Sequence, residues 1–150
     1  MIKFIIRIAI ALFLFHFGYA AYLVAKCNFE LMKDKIKEVE EGFIYVKSHN
    51  IEYNGRKDNE KNIYKLLLTS GKIYKISVYD ENKPGEKMIV TLYDQNDKEL
   101  FSNYVPQTKS YYSSILYDCK QSGIYYIGFH FQEGVSGCGI ASLSFKKKHL

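Results

Sequence analysis

From Phe43 onward the apolar residues come in short alternating runs separated by turn signals, and this pattern points to an antiparallel β fold. Strands are predicted at residues 43–46, with an extension toward His49, and then at 63–68, 73–79, 88–93, 99–104, 111–118, 124–131 and 139–145. Gly71, Pro84-Gly85 and Asp94-Gln95-Asn96-Asp97 fall between strands, where the chain must reverse. Along 124–131, alternation puts Tyr125, Ile127, Phe129 and Phe131 on one face and Ile124, Tyr126, Gly128 and His130 on the other. The first set is the better core face. Tyr74, Ile76 and Val78 likewise oppose Lys75 and Ser77. Adjacent tyrosines are thus one in and one out, which accounts for much of the tyrosine content, 14 of 150 residues, without a ligand. Seven or eight short strands with turns between them suggest a sandwich or a small barrel, and an all-β antiparallel sandwich of the jelly-roll kind is expected over residues 43–150.

Ahead of the strands, Asn28 is suited to cap a helix. Phe29, Met32, Ile36 and Val39 recur at helical spacing, lysines and glutamates fill the other faces, and Gly42 is a natural stop. One amphipathic helix is therefore expected within residues 26–42. Its polar face mixes both signs, which suits packing on the sandwich better than lying on lipid.

Residues 1–25 are unlike the rest. Lys3 and Arg7 are followed by a run, 8–25, with no charged side chain. A basic start, an apolar core and small residues at Gly18 and Ala20 describe a signal peptide cleaved after Ala20. The run is longer than the usual ~7–15 apolar residues and approaches the ~17–25 that span a bilayer, so an uncleaved anchor also fits. Lys3 and Arg7 would then keep the N-terminus inside. Both readings put the domain outside the cytoplasm: periplasmic or extracellular, or anchored to the inner membrane with membrane contact through residues 8–25. Lipid attachment at Cys27 is disfavoured by Lys26 directly before it.

The remaining chain is one domain by length. The net charge of +5 is modest, and the positive residues interleave with acids except at Lys146-Lys147-Lys148, read as a solvated tail. Nucleic-acid binding would need a denser basic stripe. Cys27, Cys119 and Cys138 are an odd set, so at least one is unpaired within a monomer. Cys119–Cys138 is the first pairing to consider. The strand reading argues against it: in a simple meander the two lie about 20 Å apart at ~3.3 Å per residue, against a bridge's Cα spacing of ~4.4–6.8 Å. A crossing connection would be needed. Neither Cys-x-x-Cys nor a paired His is present, so no zinc site is expected.

Catalytic signals are weak. His130 with Cys119 or Cys138 is the one thiol–imidazole combination to imagine, and no third, orienting group is marked. Asp80, Asp94, Asp97 and Asp118 fall at strand ends. Asp94-Gln95-Asn96-Asp97 lacks the Gly and distal Glu of a calcium loop and reads as a turn. Gly134 to Gly139 has no Lys to cradle phosphate. Neither a metal nor a cofactor is expected. Tyr111, Tyr112 and Tyr126, with His130, are the candidate ligand residues, and Tyr104 a further tyrosine able to stack on sugar.

Three stretches carry a resemblance: Gly71-Lys72-Ile73-Tyr74-Lys75-Ile76, Val90-Thr91-Leu92-Tyr93-Asp94-Gln95-Asn96 and Ser122-Gly123-Ile124-Tyr125-Tyr126-Ile127. The region from Gly71 to Phe145, about half the chain, resembles the bacterial pre-peptidase C-terminal domain, a small secreted β-sandwich. Its order is similar: a strand after a Gly turn, a Leu-Tyr-Asp strand ending in a turn, and a Gly-x-Tyr-Tyr strand near the end. The motifs describe strands and turns. Family members accompany exported enzymes as non-catalytic modules; no enzyme domain is seen here, and Gly137-Cys138-Gly139 departs from the pattern. The whole chain also resembles small exported bacterial proteins with a leader, a helix and a sandwich. The resemblance implies a non-catalytic binding or accessory protein of the cell envelope, with an envelope protein or polysaccharide as partner. Carbohydrate binding through exposed tyrosines and a scaffold role are the alternatives.

Overall fold

The computed structural model describes residues 27–36, 41–53, 62–81, 87–134 and 136–148. The leader, with both readings of residues 8–25, lies outside the described residues, as does Val39. Helix α1 (Phe29–Ile36) starts where expected. The Leu31 N–H donates to Asn28 Oδ1 at 3.3 Å, the bond that an N-cap supplies to a free helical donor. Among the described residues no helix is long and apolar enough to cross a membrane.

The strands are β1 (Ile44–Tyr53), β2 (Asn62–Leu68), β3 (Lys72–Asp80), β4 (Met88–Tyr93), β5 (Glu99–Ser102), β6 (Tyr104–Val105), β7 (Ser110–Tyr111), β8 (Ser114–Cys119), β9 (Gly123–Phe131) and β10 (Gly137–Lys147). Sheet A has the order β1-β10-β3-β8 and sheet B the order β2-β9-β4-β5, while β6 and β7 form a small ribbon. All pairings are antiparallel. From β1 to β4, and again from β8 to β10, the chain alternates between sheets, which is jelly-roll order.

The two inner faces make one core. Sheet A contributes Ile51, Tyr74, Ile76, Ile115, Ala141 and Leu143. Sheet B contributes Leu66, Leu68, Val90, Leu92 and the set expected from alternation: Tyr125, Ile127, Phe129 and Phe131. Ladder pairing satisfies the backbone while period-two alternation buries one face, so the sequence pattern and the sheets agree.

Strand β1 runs further than its pattern suggests, because a bulge between Tyr45 and Lys47 breaks the alternation that Ile51 and Tyr53 then resume. The predicted strand 99–104 divides at Asn103. This buried side chain accepts from the Val90 N–H at 2.8 Å and donates to the Met88 and Tyr112 carbonyls, each at 3.1 Å. It replaces rungs of ladder between β4 and the ribbon, so buried backbone groups keep partners where β5 ends. Asp94-Gln95-Asn96-Asp97 is a turn: Asp94 Oδ1 accepts from the Asn96 and Lys98 N–H groups at 2.8 and 3.0 Å.

The disulfide is Cys27–Cys138, with a Cα–Cα distance of 5.5 Å, and Cys119 is a buried free thiol. The Cys119–Cys138 pairing is thereby corrected. Along β3, Lys72 faces Cys119 and Asp80 faces Gly139, so Cys119 and Cys138 sit at opposite ends of the strand, about 26 Å apart at ~3.3 Å per residue.

Candidate binding site

The registers of sheet A set a serine on every strand of its outer face. Ser48 lies opposite Ser142, Ser142 opposite Ser77, and Ser77 opposite Ser114. The adjoining row reads Tyr45, Ser144, Lys75 and Leu116. Neighbouring strands are ~4.8 Å apart, so the hydroxyl row is continuous across the sheet.

Helix α1 lies on this face against β10 and β3. Its start is held by the disulfide, and Met32 and the outward-facing Ile140 are both fully buried. A cavity of about 280 Å³ lies between Lys35 and Ile36 of this helix and the serine row. Lys35 and Ile36 line it from the helix; Ser77, Ser114, Ser142 and Ser144 line it from the sheet, with Tyr45, Lys75 and Tyr79 beside them. Among the described residues the charged side chains that line this space are Lys35 and Lys75.

Ser142 and Ser144 are 8% and 7% exposed. Both line the cavity. The Tyr45 hydroxyl and Ser48 Oγ are 3.2 Å apart and hydrogen-bonded, which fixes the rim. Lys75 and Lys146 flank the Phe43 ring, with Nζ at 5.7 and 4.7 Å from its centroid.

The residues singled out from sequence lie elsewhere. Tyr126 and His130 are on the outer face of sheet B, opposite Tyr93 and Ile89 respectively. Tyr111 stacks on Tyr104 in the ribbon, with ring centroids at 4.6 Å. Burial, followed by the proximity of Tyr104 and Glu133, raises the Tyr111 hydroxyl above the usual phenol range. Tyr112 is exposed, and its carbonyl is tied to Asn103. The ribbon therefore sits near the Met88 end of β4, at the His130 end of β9, while Tyr126 is about 13 Å further along that strand. The four candidates do not make one row, and none lines the cavity.

His130 does not meet a thiol. Cys138 is bridged, and the Cys119 thiol donates to the Gln121 carbonyl at 3.2 Å, just before β9 begins. His130 is seven residues along β9 from Gly123, about 23 Å at ~3.3 Å per residue. The nearby Tyr125 hydroxyl donates to the Gln121 carbonyl at 2.8 Å; burial first, then the Tyr117 hydroxyl, raises its pKa.

Other candidate groups serve local structure. Asp80 accepts from the Met88 N–H and pairs with Lys87, both at 3.1 Å. Asp118 pairs with Lys120 and, at 2.7 Å, with Lys148; these hydrogen bonds, Lys120 first, hold its carboxyl below the usual range. The basic C-terminal run is only partly a tail, because Lys146 and Lys147 belong to β10. Among the described residues no three His, Cys, Asp or Glu side chains are grouped to hold a metal.

No protein-family profile matches the chain, and no curated protein matches it significantly.

No sequence pattern marks the hydroxyl row. Each serine occupies an unremarkable outward position in its own strand, and only the strand order and registers bring them together.

Proposed function

We propose that this protein is an exported, non-catalytic binding module of a bacterial cell envelope, and that the cavity between α1 and the serine row is its ligand seat. The observation that carries this reading is the serine row, Ser77, Ser114 and Ser142 with Ser144 beside it, lining a cavity that Lys35 and Lys75 also line. The leader pattern supports export. The Cys27–Cys138 bridge supports it too, because disulfides persist in oxidising compartments. Anchoring through residues 8–25 and release by cleavage both fit this role. The strand motifs shared with the pre-peptidase C-terminal domain favour an accessory role.

A scaffold role has one observation in its favour. Leu67, 80% exposed, lies opposite Ile124 on the outer face of sheet B, and Ile63 is also exposed on β2.

Cell fractionation with intact-mass measurement tests export. A mass starting at Ala21 in a periplasmic or secreted fraction, or the full-length mass in the membrane fraction, is expected; a full-length, fully reduced protein in the cytoplasm overturns the reading. Titrating the oxidised protein with solubilised envelope polysaccharide then tests the seat. Amide shifts at Ser77, Ser142 and Ser144 are expected. Shifts confined to Leu67 and Ile124, produced by an envelope protein, select the scaffold role.

A further inference from the structure

We propose that the outer face of sheet B is a homodimer interface, on which a second copy of this chain packs face to face across a two-fold axis parallel to the strands, between β9 and β4. This face belongs to the sheet opposite the cavity and is independent of the ligand seat. It is apolar where it is exposed: Ile63, Leu67 and Ile124 are 55%, 80% and 37% exposed. It is also flat. A Cβ at Gly128 would lie 3.2 Å from Tyr93 Cε2 and 3.9 Å from Ile63 Cγ1, so the Tyr93 ring lies over the glycine, beside Ile63, and fills that gap. A flat apolar surface matches another flat surface, such as a second sheet packed ~10 Å away.

The charges on this face select the second copy and the axis. The registers of sheet B set one row across all four strands: Lys65 on β2, Tyr126 on β9, Tyr93 on β4 and Glu99 on β5. Lys65 and Glu99 are exposed at opposite edges, with the two tyrosines between them. A two-fold axis parallel to the strands reverses this row. It sets Lys65 of one copy against Glu99 of the other at both edges, and Tyr126 against Tyr93 in the middle. Long Lys and Glu side chains meet across the ~10 Å between packed sheets. An axis lying across the strands would instead set Lys65 on Lys65 and Glu99 on Glu99, and like charges facing each other are unfavourable. The neighbouring rows add Ile63 on one side and Ile124 with Leu67 on the other. The result has the anatomy of a specific interface, with aromatic and apolar groups inside and ion pairs at the rim.

Size makes this dimer a weak one. The edge strands of the four-stranded sheet are about 14 Å apart, which puts the interface below ~1,200 Å² in total, the low end for specific complexes.

The test uses the oxidised protein as the producing cell leaves it, followed by sedimentation from about 5 µM to about 1 mM. A reversible dimer is expected, and dilution should move the amides of Tyr93, Ile124 and Tyr126 while those of Ser77 and Ser142 stay fixed. Lys65→Glu alone, or Glu99→Lys alone, should weaken dimerisation about 5–30-fold, because each places like charges at both edges. An equimolar mixture of the two variants should restore it, since each mixed dimer again pairs opposite charges. Both positions are exposed, and an unchanged Tm shows that each variant folds.

A monomer at every concentration overturns the proposal. So does a dimer that neither variant weakens, or one whose dilution shifts avoid sheet B, because association then runs through other residues, the leader included. Variants that weaken dimerisation without restoring it as a mixture overturn the assigned axis. An envelope protein that shifts these amides while the chain alone stays monomeric overturns the second copy and selects the scaffold role. Serine-row shifts with polysaccharide are read separately, so failure of the dimer leaves the ligand-seat reading standing.

Discussion

Two residues show how little freedom the core leaves. Gly139 faces Ile51 in β1 and Asp80 in β3, and a Cβ there would lie 2.6 Å from Met88 Sδ and 3.1 Å from the Tyr79 carbonyl oxygen. Met88 is 1% exposed and has little room to move. Gly139→Ala is expected to cost about 1–3 kcal/mol by overpacking, read as a lower Tm. Gly123→Ala is its control, because a Cβ at Gly123 meets nothing within 4 Å. His49 is the second case. Its ring sits 4.3 Å from Tyr64 and 6.2 Å from Phe129, and Nε2 is buried without a hydrogen-bond partner. Burial first, then the charge of Lys47, lowers its pKa below the ordinary 6.5. The unfolded chain therefore binds the proton more readily than the folded one. Stability contributed by neutral His49 is full above about pH 6.5 and is lost as pH falls from there through the folded value. Thermal melts from pH 7.5 to 5 should show a declining Tm, and His49→Phe should flatten that decline. An unchanged slope in the variant would assign the effect to other groups.

At the scale of elements, the disulfide decides where α1 lies. The helix has eight residues, too few to be stable alone in water. Packing of Met32 and the bridge to Cys138 hold it on sheet A. The bridge spans 111 residues of sequence, and closing a loop of that order is worth up to about 4–5 kcal/mol in the chain-entropy view. Reduction, or Cys27→Ala, is expected to lower Tm and to release the α1 amides to hydrogen exchange while β3, β9 and β10 stay protected. Protection of α1 that survives reduction would mean that helix packing alone suffices. Because Lys35 and Ile36 form one wall of the cavity, groove binding should weaken in the same reduced sample.

At the scale of the whole molecule, one apolar cluster draws on both sheets, so the sandwich should unfold as a unit. Denaturant curves followed by near-UV and far-UV circular dichroism are expected to coincide; separated midpoints would show that one sheet outlasts the other. The bridge also gives the molecule two ends. Cys138 is at the start of β10 and Lys147 at its finish, about 30 Å along the strand at ~3.3 Å per residue. The basic residues Lys146 to Lys148 thus lie at the end remote from Cys27. Alternation and turn residues determined the all-β class, most strands, the inward set on β9 and the capped helix, because each follows from neighbours a few positions apart. The tertiary structure alone decided the rest. The β1 bulge, the bonds of Asn103 and the Cys27–Cys138 partnership join residues distant in sequence. The candidate groove is wholly of this kind: Ser77, Ser114 and Ser142 become neighbours only when β10 enters between β1 and β3 and β8 pairs on the far side of β3. Local pattern tells which face a side chain takes, whereas strand order and register tell which side chains share it.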